Sequence, residues 1–148
     1  MKSILFVCLG NICRSPLAEG IARNYIKEKN LDIEVSSAGT ASWHEGKEPC
    51  ERSIKVALEF GVDISKQRAK QVKKSDFTKY DLIIALDNSN LKDLQKLSNN
   101  AKNLQKLGFY GYNNECVPDP YYFKEFDGFY EVFKMIDTCV KNLINQNT

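Results

Sequence analysis

The sequence is poor in histidine and tryptophan, with one of each, and it has no long apolar run. A lone histidine excludes zinc sites built on several imidazoles and leaves His44 as the only partner for a cysteine–histidine dyad. No stretch approaches the ~20 apolar residues that a membrane helix needs. The run Ile4-Leu5-Phe6-Val7 is also too short for the apolar segment of an export signal. Charge of one sign is lacking as well. With 21 Lys+Arg against 19 Asp+Glu, the net +2 makes no case for coating nucleic acid or binding a membrane. Repeats and Pro/Gly/Ser linkers are missing, so residues 1–148 read as one domain, long enough to bury a core.

Cysteine is plentiful by comparison. Five thiols, an odd number with no export signal, suggest free sulfhydryls in a reducing, cytoplasmic setting, with export by a signal-less route left open. Along the chain, Ile4–Val7 reads as a buried strand followed by the polar loop Cys8-Leu9-Gly10-Asn11-Ile12-Cys13-Arg14. A helix follows, carrying Leu17, Ala18, Ile21, Ala22, Tyr25 and Ile26 on one face, with Ser15 expected as its N-cap and Pro16 at its first position. Ile33–Ser36 reads as a second strand leading into the loop Ser37-Ala38-Gly39-Thr40. Pro49–Phe60 is expected to be helical, with Ile54, Ala57 and Leu58 on its inner face and Gly61 as its stop.

The continuous apolar run Leu82–Leu86 suits an interior parallel strand. A helix over Ser89–Leu97 and a short strand near Leu104–Leu107 come next. The last segment, with Phe126, Phe129, Phe133, Ile136, Val140 and Leu143 three or four apart, is a long amphipathic helix. Strands alternating with helices imply an α/β fold with a parallel sheet and helices on both faces. Ligands of such sheets bind beyond the C-terminal strand ends, where Cys8 sits.

A strand, a glycine-containing loop and a helix N-terminus form a natural anion site, because successive backbone N–H groups converge there at the positive end of the helix. Gly10 and Asn11 tolerate the backbone angles of a tight loop, and Arg14 offers a planar fork to two phosphate oxygens. The same surroundings favour the thiolate of Cys8, to which Ser15 can add a hydroxyl hydrogen bond. The stretch Val7–Pro16, with Ser37-Ala38-Gly39-Thr40, Trp43, Asp87-Asn88-Ser89-Asn90 and Asp119-Pro120-Tyr121-Tyr122, resembles the low-molecular-weight protein tyrosine phosphatases over most of its length.

That resemblance implies a three-layer sandwich around a central four-stranded parallel sheet. It also implies a cysteine-dependent phosphoric monoester hydrolase that works without metal or cofactor. Cys8 would be the nucleophile, Arg14 with the loop residues Leu9, Gly10, Asn11, Ile12, Cys13 and Ser15 the phosphate cradle, and Asp119 the general acid and base. Leu9, Ile12, Trp43, Tyr121 and Tyr122 would wall the entrance. Family members acting on phosphoarginine tend to carry a smaller polar residue where Ile12 stands, so isoleucine favours phosphotyrosine. The resemblance further suggests a protective disulfide between Cys8 and Cys13.

Expected partners are phosphotyrosine proteins or peptides, inorganic phosphate and inhibitory oxyanions, with the chain a monomer or weak homodimer. Two departures stand out. Gln67 replaces a common histidine that can buttress the loop asparagine, and Cys50 replaces a common aspartate. Cys50, Cys116 and Cys139 fit no motif, although Cys139 falls on the final helix as a core residue. Rival readings are a protein arginine phosphatase, a thiol-dependent arsenate reductase, and a non-catalytic phosphotyrosine-binding module. The reductase lacks its downstream cysteine pair here, because Asp81–Leu94 contains no cysteine.

Overall fold

β-Branched and aromatic residues after Lys2 make β1, Ser3–Cys8, which runs through the middle of the sheet. The computed structural model describes residues 1–120 and 126–148. The remaining elements are α1 (Arg14–Glu28), β2 (Glu34–Gly39), α2 (Glu51–Glu59), the short α3 (Asp76–Lys79), β3 (Leu82–Ala85), α4 (Asn88–Leu97), β4 (Leu104–Lys106), a 3-10 turn over Leu107–Phe109, and α5 (Phe126–Gln146). The four strands are ordered β2-β1-β3-β4 and every pairing is parallel. The expected α/β architecture is therefore observed.

Strand periodicity assigns the two faces. Ile4, Phe6 and Cys8 point into a core shared with α1, α2 and α5, together with Ile84, Ile136, Val140 and Leu143. Leu5 and Val7 point the other way, against Ile83, Ala85, Leu94 and Tyr80. Phe129, Phe133 and Cys139 are buried as expected, whereas the side chain of Phe126 lies outside the described residues.

Three details differ from expectation. Helix α1 starts at Arg14 with Cys13 as N-cap, so Ser15 lies inside the first turn and its hydroxyl turns toward the loop instead of capping. Ser37-Ala38-Gly39 is strand rather than loop, because it pairs with Phe6-Val7-Cys8 to the end of β1. On α2 the buried face is Ser53, Val56 and Ala57, and Leu58 is exposed; the aromatics of α5 draw the contact toward Phe60, whose ring stacks on Phe133.

The strand order places β2 on one side of β1 and β3 on the other. Chain connections leave in opposite directions at that point, and a crevice opens beyond the strand ends there. Cys8 and the turn after β3 both reach it.

Candidate active site

The loop from Cys8 to Arg14 is tied down on both flanks. Thr40 N donates to Cys8 O at 2.9 Å, Ala41 N to Leu9 O at 2.9 Å, and Cys50 N to Ile12 O at 2.8 Å. A Cβ on Gly39 would meet Leu9 O at 2.8 Å, so β2 can run this close to the loop only as glycine. Within the loop, Asn11 takes the left-handed conformation, with φ 56°. Gly10 has no positive φ, and a Cβ there would lie 2.9 Å from the His44 ring, which would have to turn aside.

Asn11 is the keystone of a buried polar network. Its Nδ2 donates to Ser15 Oγ at 2.8 Å and to Ser37 Oγ at 2.9 Å, while its Oδ1 accepts from Lys70 N at 3.0 Å. Ser37 in turn donates to Glu19 at 2.8 Å, and Arg23 pairs with Glu19 at 3.1 Å. Burial holds the Glu19 carboxyl above its usual range, against the opposing pull of Ser37 and Arg23. Gln67, which stands where a histidine is common, donates to Pro16 O at 3.0 Å, and Asn11 is held by Ser37 and the Lys70 backbone.

Cys8 is 3% exposed, and its Sγ lies 3.0 Å from Ser15 Oγ. Arg14, equally buried, donates to Asp87 at 2.6 Å and to Val117 O at 3.0 Å, and its other terminal nitrogen lies 3.9 Å from Asp119. Burial alone disfavours the guanidinium charge, but Cys8, Asp87 and Asp119 together outweigh it and hold the arginine more firmly protonated than usual. Asp87 itself caps α4, accepting from Asn90 N at 2.8 Å.

These side chains converge on a small pocket lined by Cys8, Leu9, Gly10, Ile12, Cys13, Arg14, Trp43, His44 and Asp119. Most sequence-nominated residues thus come together from loops more than a hundred positions apart, whereas Asn11 and Ser15 lie buried behind the loop and not on the pocket wall, and Tyr121 and Tyr122 lie outside the described residues. Trp43 is 71% exposed and stands at the pocket's rim.

Sequence reasoning missed Asp87 as the anchor of Arg14, and Ser37 with Glu19 as the support behind Asn11. Their signals were an N-cap aspartate directly after a strand, a serine in a buried strand, and a glutamate among apolar helix positions. It also missed that Cys13 and Cys50, on different elements, meet with sulfurs 2.8 Å apart.

The family model described as low molecular weight phosphotyrosine protein phosphatase matches residues 3–147. The low molecular weight protein-tyrosine-phosphatase PtpA of Staphylococcus saprophyticus is 37% identical, over 98% of this chain and 93% of its own. A crystallised protein tyrosine phosphatase of Entamoeba histolytica, with Hepes in its active site, superposes with a TM-score of 0.92 at 34% identity, covering 99% of this chain and 97% of that one. A structure titled as a Drosophila arginine phosphatase superposes with a TM-score of 0.91 at 31% identity, covering 100% and 98%.

Proposed function

The chain belongs to the low molecular weight phosphotyrosine protein phosphatase family of hydrolases, and from that premise we propose that it cleaves phosphotyrosine and small aryl phosphates through a phosphocysteine. The observation that carries this reading is that Cys8, Arg14 and Asp119 line one pocket at the positive end of α1. The Cys8 thiolate attacks phosphorus, the P–O bond to the aryl group breaks, and Asp119 delivers its proton to the leaving phenolate oxygen. Asp119 then takes a proton from water as the hydroxide displaces Cys8 from phosphorus, which releases inorganic phosphate. Arg14 and the loop amides hold the equatorial oxygens in both steps, where negative charge is spread in the transition state.

Several features support the division of labour. The Ser15 hydroxyl beside Cys8 Sγ stabilises the sulfur as attacking thiolate and as leaving group. Arg14 is fixed by Asp87 and Val117, so its fork is already aimed before substrate arrives. Ile12, Leu9 and Trp43 give the pocket an apolar wall suited to a phenyl ring. That wall favours phosphotyrosine over phosphoarginine, even though a relative in structure is titled an arginine phosphatase.

Replacing Cys8 with serine is expected to abolish turnover of an aryl phosphate while leaving orthovanadate binding measurable by calorimetry. Retained turnover would overturn the scheme. Asp119→Ala should lower kcat on phenyl phosphates by roughly a hundredfold or more, and much less on substrates whose leaving group needs no proton. Equal losses on both substrate types would remove the acid role.

A further inference from the structure

Cys13 and Cys50 are far apart in sequence and sit on different elements, Cys13 as the N-cap of α1 and Cys50 as the N-cap of α2. Neither uses its side chain to cap its helix. Their sulfurs are instead turned toward each other at 2.8 Å, with Cys50 Sγ also 3.1 Å from Ser53 Oγ. A disulfide bond is about 2.05 Å long, so the two sulfurs need close by only about 0.8 Å. The backbones are already fastened together, through Cys50 N to Ile12 O at 2.8 Å and Ser53 Oγ to Cys13 O at 3.4 Å. Both residues are partly exposed, so a small oxidant can reach them.

We propose that this pair is a peroxide-oxidised disulfide site that fastens the phosphate loop to α2, with Cys50 the sulfur first oxidised and Cys13 the one that resolves it. Peroxide transfers one oxygen to the Cys50 thiolate: the O–O bond breaks, sulfur is oxidised to the sulfenic acid, and water leaves after protonation. Cys13 then attacks the Cys50 sulfur, the S–O bond breaks, and the thiol proton departs with the oxygen as a second water. A dithiol reverses the reaction by exchange.

The division of roles follows from the surroundings. The Cys13 S–H donates to the Cys50 sulfur, and Ser53 lies against that sulfur, so the Cys50 thiol falls to about 6 although burial works against it. The same hydrogen bond and burial keep the proton on Cys13. Cys50 is therefore the more nucleophilic sulfur at neutral pH. This pairing competes for Cys13 with a Cys8–Cys13 bond, and it is independent of whether Cys8 forms a phosphocysteine.

Tryptic mapping separates the possibilities. Cleavage places Cys8 and Cys13 together on residues 3–14 and Cys50 on residues 48–52. After treatment of the reduced protein with a few equivalents of hydrogen peroxide and blocking of free thiols with N-ethylmaleimide, residues 3–14 should be found cross-linked to residues 48–52. The cross-link should persist in Cys8→Ser and be released by dithiothreitol. An internal disulfide within residues 3–14, with Cys50 alkylated, would overturn the proposal, as would loss of the cross-link in Cys8→Ser. The rate of cross-linking should change less than about twofold between roughly pH 7 and pH 8, whereas an unperturbed thiol would gain about eightfold. An eightfold gain would remove Cys50 from the first step. None of these measurements reads phosphatase turnover, so failure of the catalytic scheme and failure of this site are distinguishable.

Discussion

A guanidinium buried as deeply as Arg14 has to be matched by fixed acceptors, and the molecule supplies an aspartate and a main-chain carbonyl. Asp87 serves two partners at once, with one oxygen on Arg14 and the other on the Asn90 amide in the first turn of α4. The two duties separate by substitution. Asp87→Asn keeps an N-cap acceptor but removes the charge facing Arg14, and is expected to lower kcat/KM roughly tenfold, about 1.4 kcal/mol of transition-state binding, and to lower the melting temperature by leaving the buried guanidinium short of an anionic partner. Asp87→Ala should lose the cap as well, at a further cost of about 1 kcal/mol of stability. Steady-state assays with thermal melts check both. If Asp87→Asn retains full activity, the pair is only structural. At this scale loop chemistry nominated Cys8 and Arg14, the family resemblance added Asp119, and the three line one pocket. Asp87 was not nominated, because an N-cap aspartate after a strand is common, and its second partner comes from a loop that local pattern does not place.

Among the elements, β2 has the tightest constraint. Its last residue, Gly39, lies against the main chain of Leu9 and Gly10, where a methyl group would meet a carbonyl oxygen that cannot swing away. Gly39→Ala should therefore cost about 1–3 kcal/mol through overpacking and displace the Cys8–Arg14 loop. The test is urea unfolding alongside phosphate binding. Unchanged phosphate affinity with lowered stability would show that the loop does not depend on this contact. Element type was legible from apolar runs for β1 and β3 and from three-and-four spacing for α1 and α5. The end of β2 was not, because Ser37-Ala38-Gly39 has the composition of a turn. Pairing with β1 over its whole length overrides that preference. Likewise Ser15 has the composition of an N-cap, but the hydrogen bonds offered by Cys8 and Asn11 recruit its hydroxyl elsewhere.

Over the whole molecule, the site is held from behind by a charge the core accepts reluctantly. Glu19 is nearly buried in the first helix, and burial raises its folded-state pKa above the ordinary value. The sign follows by linkage. The folded chain binds this proton more tightly than the unfolded chain, so the stability gained by protonation is present at low pH and is lost as pH rises through the folded-state value. Glu19→Gln still offers Ser37 an acceptor and cannot ionise. Its urea midpoint is expected to fall less than the native midpoint between about pH 4.3 and neutrality, a window opening at the unperturbed glutamate value. Parallel curves for the two proteins would exclude this contribution. A parallel sheet with helices was legible at this scale from the alternation of elements. The order β2-β1-β3-β4, which sets Cys8 beside the turn bearing Asp87, was not, since pairing partners depend on long-range packing.

The Val117 carbonyl that accepts from Arg14 also has a consequence for timing. Val117 is pinned at both ends, its amide on Leu86 O at 2.8 Å and its carbonyl on the arginine, and Asp119 follows only two residues later, just before the buried Pro120. A carboxyl mounted between such pegs has the clock of a side chain rather than that of a loop. Rotamer exchange at the surface takes picoseconds to nanoseconds, while loop motions extend to microseconds. On the proposed scheme, proton delivery from Asp119 therefore waits on the turning of a side chain and not on the closing of a loop.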